Sequence, residues 1–170
     1  MIKKPTSSNG WLDQYLDLVT EDDLITGFKN QTSESLEFFS GLTEEQLLYR
    51  YEEGKWNIKE LLVHMMDAER VFCYRALRFA RYDQTVLAGY SHNDYVMNSK
   101  ASERSIRSLL EEYAVVRTAT VALFSNFAPE VLDNRGVANG VDMCVAAIGF
   151  AILGHERHHL QVIREKYLKA

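Results

Sequence analysis

The strongest constraint on this chain is its lack of proline. The 170 residues include two prolines, Pro5 and Pro129, so the stretch from Trp11 to Asn126 is free of the residue that most strongly breaks helices. Long helices are therefore permitted through most of the sequence. We find no internal repeat, and no strand-like alternation of apolar and polar residues is long enough to compete with helical patterns.

Apolar residues recur at helical spacing in four long segments, and local signals mark some of their starts. Thr43 and Gln46 have the spacing of a capping box before one brief helix, and Asn57 and Glu60 have the same spacing at the second long segment. The long segments cover approximately residues 23–39, 57–79, 102–127 and 141–167, with an ordered loop over 81–99 and a connector over 134–140. These patterns predict an all-α four-helix bundle of the up-and-down type, with a long loop between helices 2 and 3. The connection lengths leave its topology open.

Length and composition limit the domain organisation and the partners. A chain of 170 residues that is 46% hydrophobic can bury one full core, so we expect a single domain over residues 1–170, with residues 1–10 flexible. A net charge of -5 offers no basic field to nucleic acid or to a membrane surface, and no apolar run approaches the roughly 20 residues that span a bilayer. Because Met1–Pro5 lacks the apolar core of a signal peptide and the chain has two cysteines, a cytoplasmic location is expected.

Two histidines lie within the apolar stripe of the last predicted helix. His155 and His159 are separated by one helical turn, about 40° around the axis, so both can reach one metal ion. Burying two imidazoles costs free energy unless their nitrogens are bonded, and an ion satisfies both at once. His158, which precedes His159 directly, lies about 100° from it around the helix axis and is left out of the predicted site.

A third ligand has to come from another part of the chain. His64 lies at the edge of the apolar stripe of the second long helix, whereas His92 falls in the polar loop and is better interpreted as a surface residue. Metal sites in bundles are built from inward side chains of facing helices. Three imidazoles suit zinc, nickel, ferrous iron or copper, and three protein ligands leave an open position for water or substrate.

Two carboxylates next to these histidines are candidate catalytic residues. Asp67, one turn after His64, could orient an imidazole, although a solvated carboxylate explains it equally well. Glu156 lies in a sequence that matches the H-E-x-x-H motif of zinc peptidases, in which the glutamate is the general base. Only eleven residues follow His159 and none is His or Asp, which argues against a peptidase. Glu156 remains a candidate base for another hydrolytic reaction. The favoured interpretation, however, is that it is a surface glutamate beside Arg157.

The motifs around these histidines resemble those of the DinB-like superfamily of metal-binding four-helix bundles. The likeness covers nearly the whole chain from Trp11 and is carried by residues 54–60, 64–70, 74–78, 89–90 and 154–160. The resemblance implies that His64, His155 and His159 bind the ion, that the ion is nickel or zinc, and that the protein forms a homodimer. Relatives in this superfamily include thiol transferases that use bacillithiol, mycothiol or glutathione, and proteins described as metal-dependent hydrolases.

Three functions are therefore open at the level of the sequence. The leading hypothesis is an enzyme whose ion activates a low-molecular-weight thiol or a water molecule for attack on a small-molecule substrate. Alternatives are a metal-dependent hydrolase with Glu156 as base, and a non-catalytic metal-binding stress-response bundle. A cavity beside an open coordination position would favour an enzyme. Tyr90 and Tyr95 could line its entrance, although aromatic residues in loops more often serve packing.

Overall fold

The computed structural model of the protein describes residues 1–5 and 10–168, and most of the described chain is helical. The sequence produces helices where the spacing and caps predict them: Asp23, Thr43 and Asn57 each accept a hydrogen bond from a backbone N–H of the following first turn. The α-helices are α1 (Gly10–Leu16), α2 (Leu24–Ser40), α3 (Glu44–Leu48), α4 (Ile58–Ala80), α5 (His92–Asn98), α6 (Ile106–Ser125) and α7 (Val145–Val162), with a π-helical turn at Ile163–Tyr167. Strands β1 (Arg135–Ala138) and β2 (Val141–Cys144) form an antiparallel hairpin.

The four long helices α2, α4, α6 and α7 form the predicted four-helix bundle. Both α2 and α4 pack against α6 and α7, so these two sequential helices lie diagonally across the bundle. Contacts such as Arg70–Glu112 and Cys73–Thr120 advance in step along α4 and α6, which shows that these helices run parallel. The up-and-down order therefore holds from α2 to α4 and from α6 to α7, whereas the chain between α4 and α6 returns along the bundle.

The connection between α4 and α6 is long because of this parallel arrangement. Helix α4 has 23 residues and so extends about 34 Å, a length that residues 81–105 have to retrace. The predicted loop over 81–99 is ordered and includes α5, which Ser91 caps. The connection is also joined to the hairpin, because the Leu87 N–H donates to the carbonyl of Val137.

The predicted start of the last helix at Val141 is wrong. Residues 141–144 form strand β2, and α7 begins at Val145 with Cys144 as its N-cap. The cause is Asn139-Gly140, which have positive φ angles of 51° and 75° and make the tight turn between two strands. An Asn-Gly pair is a strong hairpin signal, and here it prevails over the helical spacing that continues upstream of Cys144.

Other boundaries differ in smaller ways. Helix α1 was not predicted, and α6 begins at Ile106 after the cap residue Ser105 rather than near residue 102. At the N-terminus, Ile2 is buried and its backbone pairs with Asp23 and Leu24, while residues 6–9 lie outside the described residues, so the flexibility of residues 1–10 stays a prediction. None of the helices in the described ranges is long and apolar enough to cross a membrane.

A charged network lies at the centre of the bundle and connects all four long helices. The Arg117 guanidinium on α6 donates to both oxygens of Glu69 on α4, at 2.9 and 3.0 Å, and to Glu156 on α7. The other Glu156 oxygen accepts hydrogen bonds from the hydroxyls of Ser35 on α2, at 2.5 Å, and Tyr113 on α6, at 2.7 Å. All five residues are buried. Since a buried charge is tolerated only with partners, this network fixes how the helices meet.

The network keeps Glu156 ionised. Burial alone would raise the pKa of this carboxyl group, but the charge of Arg117 and the hydrogen bonds from Ser35, Tyr113 and Arg117 together lower it below its ordinary value. A lowered folded-state pKa stabilises the fold at pH values above the ordinary glutamate range. That stabilisation is lost as the pH falls through the folded-state pKa.

Replacing Arg117 by methionine should reverse this pH dependence. The variant leaves the carboxylates of Glu69 and Glu156 buried without their counter-charge, so we expect a loss of about 3–5 kcal/mol in the free energy of unfolding at pH 7. Burial then raises the pKa of the Glu156 carboxyl group, and a raised folded-state pKa gives stability that is present at low pH and lost as the pH rises. The difference from the wild type should therefore shrink between pH 7 and pH 5.5, as measured by urea unfolding.

The matched control is Arg107→Met on the same helix. Arg107 is exposed and pairs with Glu111 on the helix surface at 2.9 Å, so its loss should change the free energy of unfolding by less than about 1 kcal/mol at either pH. A stability difference between Arg117→Met and the wild type that stays constant with pH would contradict the role given to the buried carboxylates.

Candidate metal centre

His64 lies in the second turn of α4, and the start of that helix fixes its position. The Asn57 side chain accepts from the backbone N–H of Glu60, and the Glu60 carboxylate accepts from the backbone N–H of Asn57, which forms the predicted capping box. Trp56, just before the cap, has its ring centroid 4.8 Å from that of His64. The imidazole is buried and points toward α7.

His155 and His159 lie one turn apart on α7 and face His64 across the bundle. The Nε2 atom of His155 is 3.2 Å from Nε2 of His64 and 3.1 Å from Nε2 of His159. One ring nitrogen of each histidine lies within 4.8 Å of those of the other two. The structure therefore brings together the three histidines that the sequence analysis selected.

This geometry fits a bound transition-metal ion. Two imidazole nitrogens at about 2.0–2.1 Å from a tetrahedral ion lie roughly 3.3 Å apart, close to the separations of 3.1 and 3.2 Å found here. The His155 nitrogen faces two other imidazole nitrogens, and a single proton on it could satisfy only one of them. An ion at the centre would satisfy all three, and nitrogen donors suit nickel or zinc better than magnesium or calcium.

The three imidazoles are neutral at pH 7 and so have lone pairs to donate. Burial, followed by the neighbouring histidines, lowers the pKa of His64 to about 4 and that of His159 to about 3. The same causes hold the pKa of His155 well below its ordinary value. Neutral imidazole is the form that binds a metal ion.

An open cavity of about 490 Å³ lies beside the three histidines. Tyr15 from α1 closes one side, with its ring centroid 5.4 Å from that of His155. The chain between α4 and α6 supplies another wall, including Tyr90 and His92. The cavity is lined by Tyr15, Trp56, His64, Ala68, Val71, Phe72, Arg75, Tyr90, Ser91, His92, Asn93, Asn139, His155, His158 and His159. No aspartate or glutamate occurs among these lining residues.

Both histidines that were left out of the predicted site lie at the cavity mouth. His92 and His158 are exposed, which for His92 agrees with its interpretation as a surface residue. The His92 ring centroid is 5.2 Å from that of His64, and the His158 ring centroid is 5.2 Å from that of His159. Of the two tyrosines proposed for the entrance, Tyr90 lines the cavity and Tyr95 packs on Tyr90.

The structure does not bring the two candidate catalytic carboxylates into the cavity. The favoured interpretation of Glu156 as a surface glutamate is wrong: it is 2% exposed, and its carboxylate lies in the central network with Arg117. A rotation of about 100° per residue separates it from the face of His155. Asp67 pairs with Arg70 at 3.2 Å and lines a separate outer groove, away from the histidine rings.

Sequence reasoning missed several residues of the cavity, although some had a readable signal. Helix α1, which carries Tyr15, has buried apolar residues at helical spacing, Leu12 and Leu16. This helix packs closely on α7, because a Cβ atom added to Gly154 would overlap the backbone of Tyr15. Arg75 follows His64 by eleven residues, close to three full turns, which places both on one face of α4.

Comparisons with known proteins agree with this fold and identify the family to which the chain belongs. A protein of Oceanobacillus iheyensis, provisionally named a metal-dependent hydrolase, is 26% identical over 146 residues, 82% of this chain and 79% of its own length. The solved structure of YfiT from Bacillus subtilis, described as a probable metal-dependent hydrolase with an unusual four-helix bundle topology, matches with a TM-score of 0.71 at 15% identity. The match covers 96% of this chain and 90% of YfiT.

A family model provides the remaining comparison. The model of the DinB superfamily matches residues 28–163, a range that includes the four bundle helices except for the first residues of α2 and also includes all three clustered histidines. On that match, the chain belongs to the DinB superfamily.

Proposed function

We propose that this protein is a metal-dependent enzyme in which His64, His155 and His159 hold one divalent transition-metal ion, nickel or zinc, and that its reaction is thiol transfer to a small electrophile. The observation that carries the proposal is the convergence of three neutral imidazoles beside an open cavity. Three protein ligands and an adjoining cavity are the arrangement of catalytic rather than structural metal sites. The open cavity therefore argues against the non-catalytic metal-binding bundle.

Residues around the histidines prepare the site for binding. Phe72 and Tyr15 pack their ring edges against His155, and Trp56 packs against His64, so the rings are held in place and partly screened from water. A bound ion would lower the pKa of a thiol or of a water molecule in the position that the protein leaves open. The side chains thus supply orientation and a low-dielectric surrounding.

A thiol suits this cavity because the lining residues include no carboxylate that could act as a general base for water. The lining contains no carboxylate, and Glu156 is occupied by hydrogen bonds in the bundle centre. The nucleophile then has to be activated without a proton acceptor from an aspartate or glutamate. A thiol, with an ordinary pKa of about 8.5, needs far less activation than water at about 15.7. This difference favours thiol transfer.

Hydrolysis is the second candidate, because both relatives carry descriptions as metal-dependent hydrolases. A zinc ion alone can lower the pKa of water to about 7, so hydrolysis does not strictly require Glu156.

The proposal also covers assembly, location and partners. We propose that the protein is a homodimer in the cytoplasm, and that it binds a small-molecule substrate but neither nucleic acid nor a membrane.

Metal content tests the proposed ligands directly. Purified wild-type protein, reconstituted with nickel or zinc and dialysed, should retain one ion per chain by elemental analysis. The variants His64→Ala, His155→Ala and His159→Ala should each retain less than about a tenth of that amount, because two imidazoles bind far more weakly than three. Circular dichroism establishes that each variant is folded.

His92→Ala and His158→Ala are the matched controls, since both remove an exposed histidine from the mouth of the same cavity. Both should keep the full metal content. Retention of one ion by all three ligand variants, or its loss in the two control variants alone, would contradict the assignment of the ligands.

Spectroscopy separates thiol transfer from hydrolysis. Nickel-loaded protein titrated with 2-mercaptoethanol should develop a sulfur-to-metal charge-transfer band in the near ultraviolet, whereas ethylene glycol, the matched diol, should produce none. Metal-free protein and the His155→Ala variant should show no band with either compound. Absence of a thiol-dependent band in nickel-loaded wild type, together with nickel-dependent hydrolysis of a test ester, would replace thiol transfer by hydrolysis.

A further inference from the structure

Arg75 is a buried arginine to which the described residues supply no carboxylate. Arg75 is 6% exposed. Its one hydrogen bond to the described chain is long: the guanidinium donates to the carbonyl of Ala88 at 3.5 Å. The guanidinium carbon also lies 5.8 Å from the centroid of the Phe72 ring. By contrast, the buried Arg117 has two carboxylate partners. A buried cation that lacks a counter-charge is unfavourable unless a ligand supplies one.

The position of Arg75 points its charge toward the three histidines. Arg75 and His64 lie on one face of α4, with Cα atoms about 16 Å apart along the helix axis. Side chains on a helix lean toward its N-terminus, and the contact of the guanidinium with Phe72, almost one turn earlier, shows that Arg75 does so. Between the two residues the helix presents Ala68, whose small side chain leaves room in the cavity.

The remaining polar residues of the cavity do not offset this charge. The lining also provides neutral groups from Tyr90, Ser91, Asn93 and Asn139, and no aspartate or glutamate occurs in it. A bound ion at the histidines would add further positive charge. An anion that enters the cavity would therefore be attracted by both positive charges, that of Arg75 and that of the ion. The planar guanidinium can form two parallel hydrogen bonds to a carboxylate.

We propose that Arg75 is the anion-binding residue of this cavity and that the natural ligand carries a carboxylate at the end opposite its reacting group. A single guanidinium matches the single negative charge of a carboxylate. That the other end of the ligand reacts at the metal ion rests on the proposed function. The binding of a carboxylate by Arg75 does not require the ion. The carboxylate belongs either to the thiol or to its electrophilic partner, and both sources share the same chemistry at Arg75.

Metal-free protein tests the anion site alone. In titrations followed by NMR, wild-type protein should bind butyrate at least tenfold more tightly than butyramide, its uncharged isostere. The variant Arg75→Gln should lose this preference, and Arg75→Lys should keep part of it, because a lysine retains the charge without the planar fork. The matched control is Arg78→Gln on the same helix, which removes an arginine paired with Asp83 outside the cavity and should leave the preference unchanged. Equal binding of butyrate and butyramide by the wild type, or an unchanged preference in Arg75→Gln, would overturn the proposal.

Nickel-loaded protein then identifies the source of the carboxylate. If 4-mercaptobutyrate binds at least tenfold more tightly than butyrate and displaces it, the thiol carries the carboxylate. If 4-mercaptobutyrate binds no more tightly than butyrate, while butyrate and 2-mercaptoethanol bind together without competing, the electrophile carries it; both results support the anion site. Failure of the protein to bind nickel, with Arg75-dependent butyrate binding intact, would overturn the proposed function and leave the role of Arg75 supported.

Discussion

The guanidinium of Arg117 determines how this bundle is assembled. It has to be paired because it is buried, and its partners Glu69 and Glu156 come from two other helices. This pairing fixes the rotation of α7 about its own axis, with Glu156 directed into the centre. The same rotation directs His155, about 100° away, toward α4 and the cavity. The residue that stabilises the core and the residue that faces His64 are thus neighbours in sequence, and each constrains the other.

The protein separates its buried charges into two regions of opposite character. In the bundle centre, two carboxylates surround one guanidinium, and hydroxyl groups satisfy the remaining oxygens. In the cavity, three neutral imidazoles and Arg75 occur without any carboxylate. In the first region both carboxylates find their partners within the protein, although Nη1 of Arg117 has no hydrogen-bond partner among the described residues, and the network contributes to specificity of folding. The second has unfilled bonding capacity, which is the property expected of a region that receives ligands from solution.

Part of this arrangement could be predicted from the sequence because its causes are local. Helical spacing and the Asn57 cap place His64, and the four-residue separation places His155 beside His159. The order of the helices around the bundle could not be predicted, since contacts between distant residues determine it and connection lengths do not. The burial of Glu156 was missed for the same reason: Arg117 precedes it by 39 residues, and nothing in the adjacent sequence marks the pair.

The parallel course of α4 and α6 has a consequence for how such proteins diverge. Residues 81–105 have to travel back along the bundle, and on the way they form one wall of the cavity. This wall lies outside the four-helix core, and surface segments of this kind tolerate insertions and substitutions better than packed helices do. Natural selection can therefore alter which molecules enter the cavity through this one segment, while the histidines and the charged centre are inherited unchanged.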